Sequence, residues 1–250
     1  MRHGLRFGLV LSTVLLAALA GAGCNNDKGK GGAAPKPTSD KPAPTGSGVI
    51  QGTVSFAGTA PAPEPWGGTS SSDCRALHEG TIQLVKVQDG KLEEAFVYVK
   101  AGLPEGSHPT PDKAIVVDQK GCEFVPRVFG LVAGQPIEFG NSDAFMHNVK
   151  SPEFNQGLAT RGVKMQLKLN DEGVMVPVRC DVHPWMRAYA GVMSHPYFDV
   201  SKADGSFKIA GLVDGEYTVA VWHEKLGTAE QKVKVAGATP AALNFEMRPK

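Results

Sequence analysis

VPVRCDVHPWMRAYAGV, residues 176–192, reads as a strand ending at Cys180, a tight loop, and a return strand. Within it Cys180, His183 and Met186 recur every third residue, so one compact turn can point a thiol, an imidazole and a thioether the same way. Upstream, GCEFVPRVFGLVAGQPIEFGNSDAFMHNV, residues 121–149, gives a strand, a Gly-containing turn, a strand ending at Phe139, and a loop through Asn141, Ser142 and Asp143 that delivers His147. His147 can then close, from a neighbouring strand, the site that the Cys180 loop opens.

The rest of the chain has the same texture. Strands are expected over 49–56, 82–87, 95–99, 114–117 and 163–169, the last with clean two-residue alternation. Turn signals at Asp89-Gly90, Asp171-Glu172-Gly173, Asp204-Gly205 and Asp214-Gly215 separate the runs. Helical periodicity is nearly absent and no fixed-period repeat is visible, so the expected class is all-β, built from sandwiches.

Both quoted stretches resemble the metal-binding strands of cupredoxins, the type 1 copper proteins, and the loop spacing is similar to that of amicyanin. The resemblance implies a Greek-key β-sandwich over residues 112–195 and one type 1 copper ion. Copper cycling between Cu(I) and Cu(II) needs ligands that suit both states: a thiolate, two imidazoles and a weak thioether. Cys180, His147, His183 and Met186 supply that set. Zinc prefers more thiolates or a third His or carboxylate, and a binuclear copper site needs two thiolates on one loop. A cysteine nucleophile activated by His183 lacks a neighbouring orienting group. By resemblance, Asn148 ties its strand to the Cys loop and tunes the site; its other reading is a turn residue. Phe145, Met146, Pro184 and Trp185 form the expected apolar docking patch around His183, with a core plug as the other reading of Trp185. His78, His108, His195 and His223 show no ligand spacing and read as structural.

ADGSFKIAGLVDGEYTVAVWHE, residues 203–224, resembles the carboxypeptidase regulatory-like (transthyretin-like) sandwich, whose first strand matches GVIQGTVSFAG, residues 48–58. That places a second sandwich over 48–111 plus 196–250, with the cupredoxin-like part inserted into it or packed on it. A single continuous sandwich with extra strands is the competing arrangement. The pairing of these two folds resembles methylamine-utilisation-type periplasmic proteins.

A basic start, a short apolar run from Leu9 to Ala20 and small residues before Cys24 resemble a lipoprotein signal over 1–23, with Cys24 lipidated. Gly21 stands where that family has an aliphatic residue, and an ordinary cleaved signal is the alternative. Residues 24–47, rich in Lys, Gly, Pro, Ser and Ala, read as a disordered tether. In an exported protein Cys74 and Cys122 should pair as a disulfide; the alternative is that they stay free or bind a metal with His78. The formal net charge is +1, or −1 once Arg2 and Arg6 leave with the signal, which offers nucleic acid no attraction. The expected protein is a non-enzymatic, periplasmic, lipid-anchored carrier of single electrons. Its resemblance implies a c-type cytochrome or a dehydrogenase as partner. A copper chaperone or store, and a non-redox binding module, remain open alternatives.

Overall fold

The computed structural model describes residues 1, 41–77 and 80–249. The expected leader after Met1, Cys24, the tether up to residue 40, and His78 lie outside the described residues. Apart from the short helical pieces Gly67–Ser70 and Ser72–Arg75, every regular element among the described residues is a strand.

Two pairs of sheets enclose two apolar cores. In the first pair, Lys164–Lys168, Pro136–Asn141, Ile115–Lys120 and Glu123–Val125 lie side by side in that order. Their companion sheet runs Asn155–Leu158, His147–Lys150, Gly173–Arg179, Arg187–Met193, Val128–Val132. Alternate residues from both sheets, among them Val117, Ile137, Phe139, Val149, Val178 and Ala190, meet in one buried cluster, as period-2 strands with one apolar face must. Ile115–Lys120 pairs parallel with Pro136–Asn141, and Val128–Val132 parallel with Arg187–Met193. A tight hairpin cannot make a parallel pair, so the chain crosses between the sheets.

In the second pair, Gly48–Phe56 is flanked by Ser206–Leu212 and by Lys91–Leu92, Ala241–Ala242 and Phe245–Met247. The facing sheet runs Phe198–Val200, Phe96–Ala101, Gly215–His223, Gly227–Val235. Ile50, Val54, Val97, Val99, Ile209, Val219 and Phe245 fill the space between them.

Phe96–Ala101 joins the two halves because its first four residues are buried on both faces. Val97 and Val99 enter the second core, while Phe96 and Tyr98 turn outward into a third cluster with Val128, Met193 and Ala220. That outward packing needs a flat floor. Gly191 and Gly130 are register partners on adjacent strands. A Cβ on Gly191 would lie 2.2 Å from the Phe96 ring, and one on Gly130 2.5 Å from that of Phe198. At the edge of this junction Arg127 grips Glu224 through two hydrogen bonds of 2.5 and 2.9 Å and also donates to the Arg187 carbonyl at 3.0 Å. The Tyr189 and Trp222 rings meet beside it at 5.1 Å.

Two segments differ from the sequence expectation. Residues 82–87 do not form one strand; only Thr81–Ile82 and Val87–Gln88 pair. The Gln83 amide donates to the carbonyls of Pro61 and Val85, so a side chain takes up backbone acceptors that a ladder would use. Residues 41–47, expected within the tether, lie against the fold: Ala43 N donates to Ser107 O and Gly46 N to Gly211 O. Gly46 permits that approach, since a Cβ there would sit 2.2 Å from the Leu212 carbonyl oxygen.

Gly191→Ala should therefore cost about 2 kcal/mol by overpacking Phe96, seen as a lower urea midpoint with an unchanged m-value. Burial holds His195 and His223 at about 4, far below the usual imidazole value, with His108 adding to the effect on His195. Between that value and about 6.5 the unfolded chain binds more protons than the folded one, so stability is full above neutrality and falls as pH drops through this window. Each histidine contributes up to about 3 kcal/mol of that loss. Urea midpoints from pH 7.5 down to 4.5 should decline, and His223→Gln should flatten the decline.

Candidate metal centre

Three side chains that could bind a metal come together at one end of the first sandwich. His147 is the first residue of the strand His147–Lys150 and has no exposed surface. Cys180 follows the strand Gly173–Arg179, and His183 lies in the loop before Arg187–Met193; they are 2% and 6% exposed. The ligating atoms of His147, Cys180 and His183 all lie within 4.8 Å of one another. His147 Nδ1 is 2.9 Å from His183 Nδ1, and Cys180 Sγ is 3.8 Å from that same nitrogen.

The loop is tight because its backbone groups are claimed on both sides. Met186 N donates to His183 O at 2.9 Å, and Cys180 N to Met186 O at 3.3 Å. Across the sheet, the Asn148 side-chain oxygen accepts from Asp181 N at 2.5 Å and Val182 N at 3.4 Å, while its amide nitrogen donates to Asn155. The Asn148 backbone N–H points at Cys180 Sγ from 3.5 Å. One residue thus joins the His147 strand, the Cys180 loop and the sulfur. Met186 is 1% exposed and belongs to the same buried cluster as Cys180.

Burial pushes the Cys180 thiol up, while backbone N–H groups of Asn148, His183 and Val182 favour its thiolate. Burial pushes His183 down, and His147 adds to that. Two imidazole nitrogens and a sulfur converging in a buried space form a donor set suited to a soft or borderline metal ion. Cys122, Asp143 and His147 also lie close together, but the Cys122 sulfur is bonded to Cys74 and cannot be a thiolate ligand.

The four residues of the expected apolar patch are placed unequally. Met146 and Pro184 are exposed, and Val182 beside them is 43% exposed. Phe145 is half-buried and its ring meets those of His147 and His183 at 5.3 and 5.9 Å. Trp185 is also half-buried, 5.1 Å from the His183 ring on one side and 5.4 Å from Trp66 on the other.

Trp66 and Asp143 are the two neighbours of the site that sequence reading missed. Trp66, 2% exposed, arrives on the segment between Glu64–Pro65 and Thr81–Ile82, which the Cys74–Cys122 disulfide anchors. Asp143, expected only as a loop residue, bonds His147 Nε2 at 2.8 Å.

No protein-family model and no curated protein matches the chain. Among solved structures it is similar to part of the copper-containing nitrite reductase from Thermus scotoductus SA-01, with 20% identity over 37% of this chain and a TM-score of 0.28. This chain spans only 24% of that reductase. A purple cupredoxin from Nitrosopumilus maritimus matches at 19% identity over 31% of this chain and 98% of its own, with a TM-score of 0.29. An oxidized point mutant of amicyanin matches at 18% identity over 38% of this chain and 97% of its own, with a TM-score of 0.30. Each likeness is partial, and the chemistry of the site rests on its own side chains.

Asn148→Ala should strip the Asp181 and Val182 N–H groups of their acceptor and cost about 1–3 kcal/mol. The urea midpoint reads the loss of stability, and amide exchange at Asp181 and Val182 reads the loosened loop.

Proposed function

We propose that this chain would hold one copper ion through His147, Cys180 and His183, with Met186 as a weak thioether donor, and that it carries single electrons between exported redox proteins. The observation that carries the reading is the convergence of two imidazole Nδ1 atoms and one thiol in a buried space. One thiolate with two imidazoles suits both Cu(I) and Cu(II) and is too sulfur-poor for a structural zinc site.

Copper bound there would supply a one-electron couple at near-neutral pH. The chain's part is to hold the donors still. Asn148 fixes the Cys180 loop and directs an N–H dipole at the sulfur, which spreads the thiolate charge and tunes the potential. Phe145 and Trp185 shield His183 from water. Exposed Met146, Pro184 and Val182 offer an apolar surface beside it on which a partner could settle. On this reading the partner is a c-type cytochrome or a dehydrogenase.

In this reading residues 112–195 form the copper-carrying sandwich, nested in a carboxypeptidase regulatory-like sandwich of 48–111 plus 196–250. Residues 1–23 direct export, and Cys24 carries the lipid that holds the protein at a membrane in the periplasm. No helix among the described residues is long and apolar enough to cross a membrane. On this reading the role is carriage and not catalysis.

Copper added to the metal-free protein should bind at one ion per chain and give, when oxidized, an intense thiolate-to-copper band in the visible. Cys180→Ser should lose the band while keeping the fold. Oxidized, copper-loaded protein without colour would contradict the carrier reading, and ready surrender of the ion during redox cycling would favour a chaperone or store.

A further inference from the structure

Asp143 is a buried carboxylate, 4% exposed, with every contact directed. Its Oδ1 accepts from Gly121 N at 2.8 Å, and its Oδ2 from Cys122 N at 2.9 Å and from His147 Nε2 at 2.8 Å. Its own N–H donates to Asn141 Oδ1, and the Asn141 amide donates to the Phe145 and Leu158 carbonyls. The carboxylate cannot swing away without breaking this loop.

The two N–H groups that hold it come from an unusual turn. Between Ile115–Lys120 and Glu123–Val125, both Gly121 and Cys122 have positive φ, 66° and 60°. Successive left-handed residues make the tight hairpin turn that matches strand twist and point adjacent N–H groups to one side. Glycine adopts that conformation freely, whereas cysteine does so at a cost. Cys122 is held there by its bond to Cys74, and neither residue has exposed surface.

We propose that the Cys74–Cys122 disulfide is a working part of the metal centre, acting through Asp143 as a positioning residue. The disulfide holds the turn, the turn's two N–H groups hold Asp143, and Asp143 accepts the Nε2–H of His147. That contact leaves the lone pair on Nδ1, the nitrogen facing His183 and the Cys180 side. The carboxylate also makes His147 a stronger donor, which favours the more highly charged oxidized ion. Opening the disulfide therefore weakens metal binding and raises the reduction potential without touching a ligand. The effect on copper rests on the copper reading above; the orientation of His147 does not.

The test compares wild type, Asp143→Asn and Cys74→Ser/Cys122→Ser. Nitrogen NMR of the metal-free proteins should show His147 as the Nε2–H tautomer alone in wild type and as a mixture in both variants. With copper, Asp143→Asn should lose about 10- to 100-fold in affinity and shift to higher potential, and the serine pair should shift the same way by less. If the serine pair does not fold, Gly121→Val replaces it: the disulfide stays, nothing lies within 4 Å of the new Cβ, and a β-branched residue cannot keep φ at 66°. Wild-type tautomer and potential in Asp143→Asn, or in the turn variant, overturn the proposal. A wild type that binds no copper overturns the copper reading instead, while the tautomer measurement still decides the role of Asp143.

Discussion

Two imidazoles and a thiol occupy one buried space, and the surrounding loops are arranged around that constraint. Buried polar groups need partners. His147 can bond Asp143 on one ring nitrogen and must face His183 on the other. The Cys180 sulfur receives an N–H from Asn148, and the Asn148 side chain in turn fixes the loop that carries His183. Each donor is thereby held by a group from a different segment, and a displaced loop would leave several buried polar atoms unpaired.

The sheets make this arrangement affordable in conformational entropy. His147 and Cys180 sit at strand ends whose inward neighbours, Val149 and Val178, are fully buried. The return strand beginning at Arg187 is braced from behind by the second sandwich: Phe96 lies on Gly191, and Arg127 ties the Arg187 carbonyl to Glu224. On the other side the disulfide-anchored segment places Trp66 against Trp185. The Cys74–Cys122 link, closing 48 residues, stabilises the fold by about 4 kcal/mol in the chain-entropy model.

What could be read from the chain were the features with short-range signatures. Strand alternation gave the all-β class, the three-residue recurrence of Cys180, His183 and Met186 marked the loop, and export logic paired Cys74 with Cys122. Contacts made by long-range approach were not legible. Nothing local distinguishes Asp143 from an ordinary turn residue until the hairpin at Gly121 and Cys122 is folded against it. Trp66 looks like a lone aromatic in a Gly- and Pro-rich stretch, and its segment is anchored by a disulfide whose two cysteines stand 48 residues apart. Residues 82–87 read as a strand from their composition, yet Gln83 takes up backbone carbonyls that a strand would need.

On the reading proposed above, His147, Cys180 and His183 act together as one copper site. X-ray absorption at the copper edge of the loaded protein addresses it directly. One short sulfur scatterer and two imidazole nitrogens are expected, with the short sulfur lost in Cys180→Ser. A copper environment of nitrogen and oxygen alone, unchanged by that substitution, would contradict it.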